Sequence, residues 1–312
     1  MSAYINAKIA RAEQFTDRCD LSVLMFDFSK NPWGKMLENQ KVRLPAVAGM
    51  FYPEKKITLD QEVAMVLEEA REIDLQGEVI ALIVPHAGYM FSGGVAARAY
   101  RQIFESDVEI VVVIAPSHCE YFTEISIFNG YGYSTPLGTL PVDKDLAAEL
   151  VKESPHIILS DKGHRFEEHA LEVQLPFLQK ILGNFRFVPI VMGEHSQDNI
   201  LSLANALFRI LKDKKALIVA STDLSHFYND ERAKTLDQVV VDDIENFDED
   251  QLFQDLQSGE CEMCGGGPAI VAMKASRLLG ATKSQVLLYR NSGDITGDRS
   301  EVVGYLSAVL IK

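Results

Sequence analysis

The chain has little of what several large protein classes require. Cysteine is scarce, with four among 312 residues, at positions 19, 119, 261 and 264. No secretory n-region and h-region precede them, so a disulfide framework is not expected and a reducing cytoplasm is the expected compartment. Long apolar runs are missing as well: Val79–Val84 and Ile110–Ala115 fall far short of the ~20 residues that a membrane-spanning helix needs. Basic residues are outnumbered, 30 Lys and Arg against 45 Asp and Glu, giving a net charge of -15 without any Lys/Arg cluster. That balance argues against nucleic acid as a partner, because its recognition draws on clustered basic groups. Acidity of this size reads instead as a solvated surface. Neither a Gly-x-Ser-x-Gly elbow nor a Walker P-loop occurs, so esterase and nucleotide-hydrolase chemistry lack local support.

What is present is an ordinary globular balance, 47% hydrophobic and 24% charged. Residues 1–40 have mixed patterning, with Trp33 and an Asn31-Pro32 turn, and are read as an N-terminal extension, either an ordered arm or a disordered segment. From Leu44 onward short apolar strands alternate with amphipathic helices, so residues 41–312 are expected to form one α/β domain. No repeat, low-complexity tract or linker divides it. Val79–Val84, Ile110–Ala115, Phe185–Val191 and Ala216–Ala220 are almost continuously apolar, as strands covered on both faces are. Helical spacing marks Leu59–Arg71, Ser92–Phe104, Glu168–Ile181, Asn199–Leu211 and Pro268–Leu279. The expected architecture is a mostly parallel central sheet with helices on both faces. Val286–Arg290 and Val302–Ile311 are expected to add an antiparallel hairpin at one side.

The histidines fall where such a sheet places ligands. His86 follows the first strand in Pro85-His86-Ala87-Gly88-Tyr89, and His118 follows the second in Pro116-Ser117-His118. Asp223 and His226 follow the fourth in Ser221-Thr222-Asp223-Leu224-Ser225-His226. Ligands bind beyond the carboxyl ends of strands in open α/β sheets, so these groups are expected to converge. One loop histidine is usually only a hydrogen-bonded structural residue; three strand ends sharing the pattern favour a site.

Cys264 lies in Met263-Cys264-Gly265-Gly266-Gly267-Pro268, just before a helix whose N-terminus favours a thiolate. A thiolate with two imidazoles suits iron, copper or zinc. A buried inert cysteine and a Gly-rich anion-binding turn are the bland alternatives. Cys261 and Cys264 are the only Cys-x-x-Cys pair, which disfavours a zinc ribbon. In Glu167-Glu168-His169-Ala170-Leu171-Glu172 a spacing of three places His169 and Glu172 on one helix face. The acidic groups there either suit a helix N-terminus or orient metal ligands by hydrogen bonds. His156, His164 and His195 sit in polar stretches and read as surface residues.

Together these motifs, with Arg43-Leu44-Pro45-Ala46-Val47-Ala48-Gly49-Met50-Phe51-Tyr52-Pro53, resemble the Memo family, whose prokaryotic members are labelled AmmeMemoRadiSam system protein B. They run in the family's order from about residue 41 to the C-terminus. The family's fold is similar to that of class III extradiol dioxygenases, non-haem iron enzymes. By that resemblance His86, His118 and Cys264 are the metal ligands, His226 is an acid/base and Asp223 lines the pocket. The implied cofactor is a divalent transition metal, iron first, then copper or zinc. A thiolate here takes the place of the carboxylate in a 2-His-1-carboxylate triad, which changes charge donation and oxidation risk. The resemblance implies a metal-dependent redox enzyme, or a vestigial pocket that binds a peptide or protein. Nucleophilic catalysis by Cys264 ranks below both. It also implies association with an AMMECR-type protein and a radical SAM enzyme.

Overall fold

Runs of β-branched residues form the middle of the sheet because both of their faces can be buried. The structure, a computed structural model, describes residues 41–312 apart from Phe166; the expected extension over residues 1–40 lies outside the described residues. Strands β2 (Val79–Val84), β3 (Ile110–Pro116), β8 (Arg186–Met192) and β9 (Ala216–Ser221) pair in parallel in the order β2-β9-β3-β8. Val112 of β3 faces Val188 on one side and Ile218 on the other. Alternate side chains go to opposite faces: Ile110, Val112 and Ile114 join one apolar cluster, Val111, Val113 and Ala115 the other.

Helices cover both faces. The first cluster takes Leu146 of α3 (Lys144–Glu153), Leu203 and Leu207 of α5 (Gln197–Leu211), Val240 of α6 (Asp230–Glu245) and Ile270 of α8 (Gly266–Leu279). Helix α7 (Glu249–Ser258) contributes Leu252 to the same side. The second takes Leu59 and Val63 of α1 (Lys56–Glu69), Tyr100 of α2 (Gly94–Tyr100) and Phe177 of α4 (Leu175–Leu182).

The C-terminal hairpin is present as β11 (Lys283–Asn291) against β12 (Val302–Ile311), and β12 also pairs antiparallel with β2. Beyond β8 the sheet continues with β4 (Ile125–Phe128) and β7 (Ile157–Ser160), and β10 (His226–Tyr228) sits on β12. A small second sheet joins β1 (Val42–Arg43), β5 (Gly132–Thr135) and β6 (Gly138–Pro141). Among the described residues, no helix is long and apolar enough to cross a membrane.

One expected helix starts late. Glu168–Ile181 becomes helical only at the 3₁₀ turn Glu172–Gln174, which leads into α4. The Glu168 carboxylate accepts from the amides of His169 (2.9 Å), Ala170 (3.1 Å) and the distant His118, which holds the chain irregular there. Arg43 fastens the same stretch. Buried with its guanidinium against the Glu172 carboxylate, it also donates to the carbonyls of His164 and Glu168. Glu172 accepts in addition from the amides of Ala46 (2.8 Å) and Val47 (3.1 Å) and from Tyr52 Oη. Breaking a buried pair leaves one uncompensated charge inside, at a cost of about 3–5 kcal/mol. Glu172→Gln is therefore expected to lower unfolding stability by about that amount in urea titrations; a loss below about 1 kcal/mol would show that Arg43 does not hold this segment.

Candidate metal site at the carboxyl ends of the strands

Strands β2, β9 and β3 are neighbours and run in one direction, so residues just past their ends meet. His86 lies two residues beyond β2, His118 two beyond β3, and Asp223 two beyond β9. The third imidazole comes from the irregular segment before α4. One ring nitrogen each of His86, His118 and His169 lies within 4.8 Å of the others. Ring centroids are 5.1 Å apart for His86 and His118, 5.0 Å for His118 and His169, and 5.6 Å for His86 and His169.

The far side of two rings is locked by hydrogen bonds. His86 Nδ1 meets Ser221 Oγ at 2.9 Å, and that hydroxyl donates its one proton to the Ala170 carbonyl at 2.6 Å. His86 Nδ1 must therefore carry the proton, which leaves Nε2 with a lone pair facing the cluster. Gln174 Nε2 donates to the same Ser221 Oγ (2.8 Å) and to the Pro85 carbonyl (2.9 Å), while Gln174 Oε1 accepts from Tyr100 Oη (2.9 Å). His118 Nδ1 donates to Glu168 Oε1 at 3.1 Å, which turns its Nε2 inward too. Such outer hydrogen bonds on imidazoles are what metal sites use to fix ligand orientation.

Charge follows this geometry. Burial raises the Glu168 carboxyl, but the hydrogen bond and positive charge of His118 outweigh it and hold the group at about 2. Burial lowers His118, yet hydrogen bonds to Cys264 and Glu168 bring it up to about 11. His86 is pushed well down by burial and the neighbouring imidazoles, and His169 falls to about 4 chiefly by burial. The inward face thus accommodates one positive charge, as a proton or a cation.

The structure brings the other expected site residues to the same place. Cys264 Sγ is 3.3 Å from His86 Nε2 and accepts from the Asp223 amide at 3.2 Å. Its position depends on Gly265, where a Cβ would stand 2.2 Å from the Ser221 carbonyl oxygen. Cys261 is buried and forms no disulfide with Cys264. Asp223 Oδ1 accepts from the His86 amide at 2.8 Å, with Oδ2 3.9 Å from His86 Nε2, and burial pushes its carboxyl up to about 7. His226 is half-buried at the start of β10, and burial lowers its imidazole.

Three histidines differ from their sequence reading. His169 belongs to the cluster rather than to a helix face. Its only sequence signal is the adjacent Glu168. His164 was expected at the surface but is 1% exposed: Tyr133 Oη meets its Nδ1 and its Nε2 donates to the Ser126 carbonyl at 3.0 Å. His195, likewise expected at the surface, is half-buried, and its Nδ1 accepts from the Gly267 amide at 3.3 Å. His156 is half-buried.

The protein is thus a single-domain α/β protein with a three-imidazole cluster, able to hold a metal ion, at its strand ends. The chain belongs to the Memo family: the family described as Memo-like protein matches residues 43–309. It is 38% identical to a MEMO1 family protein of Methanosarcina mazei, covering 86% of this chain and 99% of that one. Identity is 36% to a MEMO1 family protein of Methanobrevibacter smithii, covering 86% and 99%. It is 35% to one of Aquifex aeolicus, covering 87% and 100%. Among solved structures, an uncharacterized protein of Escherichia coli K12 aligns with a TM-score of 0.45 and 13% identity, over 75% of this chain and all of that one.

Burial lowers the His164 ring to about 3. The unfolded chain takes up that proton near pH 6.5 and the folded protein only near 3, so acid favours unfolding between those values. Comparison of urea stability against pH for wild type and His164→Gln is expected to show an extra slope in wild type of at most ~1.4 kcal/mol per pH unit between pH 6.5 and 3. Parallel curves would contradict the buried neutral ring.

Proposed function

We propose that this protein is a metal-dependent redox enzyme whose centre holds a divalent transition metal, iron first and copper or zinc next. The observation that carries this reading is the convergence of His86, His118 and Cys264, with both His86 Nδ1 and His118 Nδ1 engaged outward and His169 within reach as a further donor. A thiolate among imidazoles suits the softer first-row metals. When bound, such a metal supplies Lewis-acid polarisation and, if redox-active, electron transfer to a small oxygenated ligand.

The remaining chemistry falls to the chain. Ser221 and Glu168 hold the two imidazoles at fixed angles, and Gly265 lets the Cys264 sulfur approach. Asp223 braces the His86 amide and lies beside its inward nitrogen. His226 borders the cavity that adjoins Cys264 and serves as the proton-transfer group there.

Untagged protein prepared anaerobically is expected to contain, or to take up under reducing conditions, one equivalent of iron, copper or zinc per chain. His86→Ala/His118→Ala is expected to lose it. Cys264→Ser is expected to weaken retention by at least roughly tenfold, the scale on which supporting groups of metal sites act. Failure of wild type to hold or accept any of the three metals would end this reading.

A further inference from the structure

Beside Cys264 lies an open-mouthed cavity of about 390 Å³, within the size range of small-molecule sites. Its walls are apolar along Phe253, Leu256 and Ile270, and its polar groups include His195, His226 and Glu262. Two of these are already engaged within the protein. Glu262 Oε1 accepts from Tyr228 Oη at 2.5 Å, and the His226 ring bonds to the backbone of Leu224.

His195 differs. A backbone amide can only donate, so the Gly267 N–H at 3.3 Å obliges His195 Nδ1 to keep its lone pair, and the neutral ring carries its proton on Nε2. Among the described residues nothing accepts from that Nε2. The ring is pinned where it stands, since a Cβ on Gly267 would lie 2.6 Å from its Cγ. That N–H, on a half-buried ring in the pocket wall, is free to donate to a ligand or to water.

We propose that this cavity binds a small uncharged molecule with an apolar body and a hydrogen-bond-accepting oxygen, and that His195 Nε2–H is the group that selects for that oxygen. The apolar walls favour an apolar body over a strongly hydrated ion. Glu262 and the acidic surface further disfavour an anion. The inference rests on the preceding reading only in making the cavity the neighbour of a reaction centre, so binding and metal loading are measured separately.

The probes are acetophenone and α-methylstyrene, which share a shape and differ in C=O against C=CH₂. Calorimetric or ligand-observed titration of zinc-loaded and zinc-free protein is expected to show acetophenone binding more tightly to wild type than α-methylstyrene does. His195→Ala is expected to weaken acetophenone by about fivefold, the scale of one neutral hydrogen bond, and to leave α-methylstyrene unchanged. His195→Gln, which returns a donor near the place of Nε2, is expected to restore most of the loss. Zinc content should be equal in all three proteins. Equal affinity of wild type for the two probes, no binding of acetophenone, or no change in His195→Ala would overturn the proposal. Discrimination that persists in protein unable to take up metal would leave the pocket standing and end the metal reading instead.

Discussion

Burying a carboxylate is unfavourable by several kcal/mol unless it is paired and hydrogen-bonded, and the segment from Glu168 to Glu172 buries two of them. Everything at the site depends on how those two are satisfied. Glu172 is met by Arg43, Tyr52 and the amides of Ala46 and Val47; Glu168 is met by His118 and the amides of its own turn. The first set ties the chain after β1 to the segment before α4. The second ties that segment to the loop after β3. His169 stands between the two carboxylates, so its place in the cluster follows from their partners.

The sheet supplies the other half of the geometry. Parallel pairing in register makes β2, β9 and β3 end at one level, and short loops there leave His86, His118 and Asp223 little freedom. Ser221, the last residue of β9, accepts a hydrogen bond from His86 Nδ1 and donates one to the Ala170 carbonyl. Through one hydroxyl the strand ends and the His169 segment therefore share a hydrogen-bonded network. Its members are buried, where such networks are stronger and less tolerant of a missing partner than in water. Imidazoles held this way need no reordering to bind a cation.

The glycines after Cys264 act by close approach. Gly265 lies against the Ser221 carbonyl and Gly267 against the His195 ring. One glycine run thus brings the sulfur to the histidine cluster and presses His195 into the wall of the adjoining cavity. The metal-type cluster and the apolar cavity meet at Cys264, which borders both.

By itself the sequence determined the α/β class, the four central strands to within a residue at either end, the C-terminal hairpin, and the placing of His86, His118, Asp223 and His226 at strand ends; Cys264 joined them by resemblance to the family. These were legible because a buried parallel strand is written as a continuous apolar run and its end as the break in that run. Helices α3, α6 and α7 and the outer strands β4 and β7 were not resolved, being shorter or more polar than the core elements. Only the tertiary structure decided that Glu168 and His169 leave the helix, that His164 is buried and His195 half-buried, and that Arg43 fastens the Glu168–Glu172 segment. Those outcomes turn on partners some 30 to 130 positions away, such as His164 on Tyr133, Glu168 on His118 and Arg43 on Glu172. Local periodicity carries no information about contacts over that distance, and for a histidine the contact rather than the neighbouring sequence sets burial, tautomer and charge.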